Sequence, residues 1–300
     1  MLPAVRVFLA HSARQLHAAT GGVPPTGLVV LSIGSTQIGA AIAKSLFDEL
    51  GPAGTVFLRV FFAAVVLLLL WRPRLLGYVR ANYFVVILFG LVLAGMNLSF
   101  YSAIERIPLG IAVTLEFVGP LGVAIAGSRR LEDLLWVVLA AVGVVILAPL
   151  GGASLDPLGV GLALLAGSFW AAYILLGART GRAFPGGAGL AIAMFIAAVV
   201  LLPVGVLGGG SALLDPRLLT TGFGVALLSS ALPYSLEIEA LRHLSARVFG
   251  LLLSLEPAIA ALVGFFILGE ELGLRDIIAV SLITVATVGA SQLRVNGLGD

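Results

Sequence analysis

Ten mainly apolar runs fill this chain, at about 27–47, 53–71, 83–104, 108–127, 133–150, 157–178, 188–207, 218–241, 245–268 and 275–294. A helix needs about 20 such residues to cross the hydrocarbon of a bilayer. The connections between runs are short and carry most of the charge. The sequence therefore predicts an all-α integral membrane protein with ten transmembrane helices. Composition supports this: 60% of the residues are hydrophobic and 11% are charged, where a soluble domain has about 25% charged. That leaves too little polar surface to cover a water-soluble globule.

Several functions are excluded early. No cysteine occurs, so no disulfide, thiolate metal site or cysteine nucleophile can form. His11, His17 and His243 are far apart, so no metal site is expected. No dense basic run suggests nucleic acid. No phosphate-binding loop, nucleophile elbow or paired-aspartate metal motif is present, so neither a cofactor nor ATP-driven transport is expected. Residues 1–26 are weakly basic and end in GGVPP, which reads as a cytoplasmic tail, with a cleaved signal as the alternative. With the N-terminus inside, twelve of the 17 basic residues fall on the inner side, Arg72, Arg74, Arg80, Arg129 and Arg130 among them. Basic residues favour the cytoplasmic side, so both termini are expected there. Residues 295–300 form the second tail.

The chain repeats itself. Residues 103–121 read AIERIPLGIAVTLEFVGPL and residues 240–258 read ALRHLSARVFGLLLSLEPA. With Pro120 set on Pro257, each copy has a glutamate shortly before the proline, Glu116 and Glu256. The repeat unit is five spans, 27–150 and then 151–294. Five is odd, so the second copy enters the membrane from the opposite face. Inverted repeats of this kind are a transporter design with the binding site near the midplane.

Ionisable residues inside a span are costly and mark function by default. Glu116 lies mid-span, and Pro120 follows four residues later. Proline has no N–H, so the Glu116 carbonyl loses its helical partner. A carboxylate and a freed carbonyl at one level suit a cation or ammonium group. The alternative is a structural ion pair with Arg59, also mid-span, and the two roles are compatible. Glu256 and Glu237 are the candidate proton carriers, the latter nearer the inner end. Gln37, Asn97, Tyr101 and Tyr234 are candidate hydrogen-bonding residues for a substrate. Trp170 and Tyr173 are neighbours on one helix that could wall a cavity, although aromatics on a span more often pack. Lys44 is read as reaching along its stem to the membrane surface.

The segments AAIAKSLF (40–47), GMNLSFY (95–101), PLGIAVTLEFVGPLGVAI (108–125), SSALPYSLEIEAL (229–241) and SLEPAIAALVGFFILGE (254–270) resemble the EamA branch of the drug/metabolite transporter superfamily. Within it they look closest to bacterial inner-membrane threonine/homoserine exporters. The resemblance covers about residues 27–294. It implies two inverted five-helix repeats around a central cavity, and proton-driven export of small amino acids by alternating access. Arg59, Glu116, Gln37, Asn97, Tyr101, Tyr173 and Tyr234 would then meet substrate, and Glu256 and Glu237 the proton. The expected partners are a small amino acid, protons and the lipid bilayer. Export of another metabolite or a cationic drug is the rival reading; a membrane-embedded enzyme or scramblase is more remote. The sequence leaves oligomeric state open.

Overall fold

A computed structural model describes residues 23–73, 79–126, 131–147, 155–185, 187–241, 244 and 252–296. Most of the two tails, the double-arginine connection near residue 130 and the start of the ninth run lie outside the described residues. So does the side chain of Tyr234, one of the candidate substrate residues. The described chain is helical, and helix lies in every one of the ten apolar runs. The first half contains α1 (Pro25–Lys44), α2 (Phe47–Trp71), α3 (Arg80–Ile104), α4 (Leu109–Glu116), α5 (Val118–Ala126) and α6 (Leu131–Leu147). The second contains α7 (Pro157–Ala183), α8 (Ala188–Gly209), α9 (Pro216–Ala226), α10 (Leu232–Leu241), α11 (Glu256–Leu268) and α12 (Leu274–Asn296).

Among the described residues, five helices are long and apolar enough to cross a membrane: α1, α2, α3, α7, and α8 with its tight extension to Leu214. The fourth and eighth runs, by contrast, are interrupted helices. The fourth is irregular at Phe117, between α4 and α5, where helical angles persist but the Glu116 carbonyl loses its bond. The eighth is interrupted by a π turn over Leu227–Ala231, between α9 and α10. Such a turn inside a helix is frequent at functional sites. Proline contributes to both interruptions. Pro120 removes the N–H that would bond the Glu116 carbonyl, and Pro233 removes the one that would bond Ser229.

The helices pair across the two halves. α2 runs along α8, α3 along α7, α6 along α12, α1 against α10, and α11 against α4. With lipid outside, such packing gains little from excluding water and depends on close backbone approach through small residues. Gly54 meets the backbone of Gly209, and Gly205 faces the Phe57 ring. The tightest crossing is α4–α5 on α7. A Cβ on Gly167 would lie 2.6 Å from the Glu116 carbonyl oxygen, and one on Gly119 would collide with the Gly167 carbonyl. Both obstacles are backbone, so neither can rotate away. Gly167→Ala is therefore expected to cost about 1–3 kcal/mol of stability, the usual range for overpacking. Gly122→Ala, whose Cβ meets nothing within 4 Å, is the control. Thermal unfolding in detergent checks the pair; equal midpoints would contradict the crossing.

Candidate functional site

The interrupted helices and α1 deliver polar groups to one place between the halves. α1 is apolar along most of its length, yet Ser32, Ser35 and Gln37 are all buried, as are Gly39, Ala40 and Ala41 beyond them. Each polar group of this strip meets the second half. The Ser32 hydroxyl donates to Glu237 Oε1 at 2.7 Å. The Ser35 hydroxyl donates to the Leu228 carbonyl at 2.7 Å, inside the π turn. Gln37 Nε2 donates to Glu256 Oε1 at 2.9 Å. α1 thus holds both candidate proton carriers, one at each end of its polar strip.

Arg59 comes from α2. Its Nη1 donates to Asn97 Oδ1 at 2.8 Å, and its Nη2 to the Ser229 carbonyl at 3.3 Å. The guanidinium lies 5.4 Å from the centre of the Tyr101 ring, a cation–π distance. Asn97 is fixed in turn, because its Nδ2 donates to the Leu93 carbonyl at 2.8 Å. Tyr101 is fully buried, and Phe47 packs on it with ring centres 5.9 Å apart. The carbonyl that Arg59 uses is the one released by Pro233. A guanidinium needs acceptors for its fixed fork of donors, and the π turn supplies one at membrane depth.

Glu116 is buried, 9% exposed, at the last position of α4. The expected direct pairing with Arg59 is replaced by a longer-range interaction. Arg59 gives its hydrogen bonds to Asn97 and Ser229, and Glu116 feels the guanidinium and Glu256 as neighbouring charges. Glu256 in turn feels Glu237. The three acids therefore form an electrostatically linked series, Glu116 to Glu256 to Glu237, with one arginine at its first member. The Glu116 carbonyl freed by Pro120 faces the second half. It abuts the backbone of Gly167 on α7.

Gln37, Arg59, Asn97, Tyr101, Glu116, Glu237 and Glu256 are thus joined through hydrogen bonds, ring contact or charge. Tyr173 stands elsewhere in its described contacts. Its ring packs on Phe89 at 5.1 Å, about 12 Å along α3 from Asn97 at 1.5 Å per residue. There it lines a separate cavity with Thr180 and Gly189, of about 370 Å³. Trp170 packs edge-on against Phe117 at 4.7 Å, at the α4–α5 junction. Sequence reasoning missed Ser32, Ser35 and Ser229. For Ser229 the signal was present: it sits four residues before Pro233, as Glu116 does before Pro120.

Four buried polar atoms here have no hydrogen-bond partner among the described residues: Gln37 Oε1, Arg59 Nε, Tyr101 Oη and Ser229 Oγ. Buried polar atoms are nearly always paired, so these are places where a polar ligand or water completes the network. Among the described residues, no group of three or more metal-ligating side chains could hold a metal ion.

Residues 157–292 match the EamA-like transporter family. A threonine/homoserine exporter of Salmonella typhimurium strain LT2 is 44% identical over 89% of this chain and 91% of its own. The threonine/homoserine exporter of Escherichia coli strain K12 is 43% identical over the same shares. A crystal structure only 17% identical matches with a TM-score of 0.61, covering 91% of this chain and 99% of its own, and so shares the fold. The chain belongs to the EamA-like transporter family, and it is a membrane transporter rather than an enzyme.

Proposed function

We propose that the protein exports small amino acids of the threonine/homoserine kind across the bacterial cytoplasmic membrane, as a proton-coupled secondary carrier. The observation that carries this reading is the cluster of Arg59, Glu116, Glu256 and Gln37 between the two halves. It offers opposite charges within one small polar region, which an amino acid in its zwitterionic form complements. Identity of 43–44% to two exporters of those amino acids supports the substrate class.

In this reading ten spans form two inverted five-helix repeats, 27–150 and 151–294, with both termini cytoplasmic. The Arg59 guanidinium meets the substrate carboxylate, helped by Asn97 and Tyr101. The carboxylates of Glu116 and Glu256 and the free Gln37 Oε1 attract the ammonium group. Tyr234 shares α10 with Glu237 and is the remaining candidate for the substrate's polar atoms. Tyr173, which lines the neighbouring cavity, is a further candidate substrate contact. Glu256 and Glu237 carry the proton. Alternating access comes from rocking one repeat on the other, with the irregularity at Phe117 and the π turn as places where the backbone can bend.

Cells that overproduce the protein are expected to grow in threonine or homoserine concentrations that arrest control cells. The measurement is growth across a concentration series, with Arg59→Leu as the inactive control. Resistance to bulky cationic dyes without resistance to these amino acids would move the substrate class to drugs.

A further inference from the structure

One cluster lies apart from this site, at the end of the bundle where α1 finishes and α4 begins. Lys44 Nζ and Glu270 Oε1 are 2.6 Å apart, with side chains 25% and 10% exposed. The other oxygen of Glu270, Oε2, accepts from the Leu109 backbone N–H at 2.8 Å. That N–H opens α4, whose N-terminus has no capping side chain of its own, since Pro108 precedes it. One carboxylate therefore ties three segments, two from the first half and one from the second.

The chain is built to place it. Gly269 turns left-handed, φ 66°, directly after α11. That turn carries Glu270 back, so that its own N–H donates to the Gly264 carbonyl at 3.1 Å. Gly264 has no side chain, and a Cβ there would collide with the Glu270 carboxylate. A carboxylate suits a helix N-terminus because the first N–H groups lack partners and carry partial positive charge. Lys44 is the residue read from sequence as surface-seeking; the carboxylate captures it instead. Two more bridges lie at this end, Arg106 to Asp156 at 3.0 Å and Arg217 to Glu49 at 2.5 Å. Their side chains are more exposed, and pairs in water contribute little. The Arg106 hydrogen bond and the Leu158 N–H hold the Asp156 carboxyl below its usual range.

α4 is eight residues long and ends at Glu116. Its first N–H is held by Glu270, and its last residue is the acid that feels Arg59. Beyond it Pro120 leaves the Glu116 carbonyl without its helical bond. Freeing the start of α4 therefore removes a polar anchor from the short helix that carries Glu116. We infer that Lys44, Glu270 and the Leu109 N–H form a latch that shuts this end of the transport path and opens to release substrate. Basic-residue asymmetry puts this end outside. The inference rests on the carrier reading only in that a carrier must open both ends.

The chain contains no cysteine, so thiol chemistry reports on introduced residues alone. Ala112 lies one turn into α4 and is fully buried. In A112C the thiol is expected to react slowly with a membrane-impermeant reagent added from the outer side. In A112C/E270Q, and again in A112C/K44M, the rate is expected to rise at least about tenfold. In a second arm, K44C/E270C is bridged by a bifunctional methanethiosulfonate reagent in proteoliposomes. Bridging is expected to stop uptake of labelled threonine, and a reductant to restore it. Unchanged A112C reactivity in both latch variants, or full transport by the bridged protein, would overturn the latch. The accessibility arm needs no substrate. A latch that opens in a protein that moves neither threonine nor homoserine would therefore leave this inference standing and remove the substrate assignment.

Discussion

Arg59→Leu is expected to reduce export at least about tenfold and to lower stability as well. The guanidinium serves three groups at once: the Asn97 amide oxygen, the Ser229 carbonyl and the Tyr101 ring. Leucine leaves two buried acceptors unpaired, each costing about 1–3 kcal/mol. It also removes the positive charge that Glu116 feels. Against this stands a gain, because placing an arginine at mid-membrane costs about 2.5–3.5 kcal/mol on insertion scales. The unpaired acceptors and the stranded carboxylate together exceed that gain, so the net effect is loss. Arg59→Lys keeps the charge but has no planar fork; it is expected to retain stability better than activity. Glu116→Gln is expected to harm export similarly. The double variant Arg59→Leu, Glu116→Gln tests coupling. If the two residues work through each other, it is no worse than either single change. Independent, additive losses in initial transport rate would reject the coupling.

The second large effect concerns Glu256. Its Oε1 accepts from Gln37 Nε2 at 2.9 Å, and Glu256→Gln can keep that hydrogen bond because the amide oxygen replaces the carboxyl oxygen. What it cannot do is bind and release a proton. Substrate binding is therefore expected to survive, and so is exchange of labelled for unlabelled substrate across the membrane. Accumulation driven by a pH gradient is expected to disappear. Glu256→Ala differs: it removes the Gln37 partner too, and is expected to weaken binding as well as coupling. Glu237→Gln, whose parent carboxylate accepts from Ser32, is expected to slow accumulation less. If Glu256→Gln still concentrates substrate in response to the gradient, the coupling acid is Glu237 or Glu116.

The sequence was most informative where a residue was expensive. Arg59, Glu116 and Glu256 stand out because charge inside an apolar run needs a reason; the structure bonds Arg59 to Asn97 and Ser229, and Glu256 to Gln37. Gln37 and Asn97 stood out for the same reason more weakly. The serines did not. A serine in a membrane helix is equally at home as a small packing residue, so Ser32 and Ser35 carried no separate signal, and Ser229 only that of Pro233 four residues on. Their roles emerge only when α1 lies against the π turn. Lys44 shows the complementary limit. At the end of a span a lysine can reach water by itself, and its partner, Glu270, is 226 residues away. Nothing local requires their meeting; the Gly269 turn and the gap at Gly264 bring it about. Tyr173 was indistinguishable in sequence from a cavity-lining aromatic near substrate, and the α3–α7 packing sets it against Phe89. The interrupted fourth and eighth runs were half legible. Pro120 and Pro233 mark where a carbonyl is released. What faces that carbonyl is decided by packing: Gly167 in one case and the Arg59 guanidinium in the other.

Transport by the purified protein in proteoliposomes tests the central claim most directly. Vesicles loaded with unlabelled threonine are diluted into labelled threonine, with and without an imposed pH gradient. The account predicts counterflow of threonine and homoserine without a gradient, extra accumulation when the gradient is imposed, and neither in Arg59→Leu. Absence of counterflow for both amino acids in the wild-type protein, with active uptake of some other solute, would contradict it.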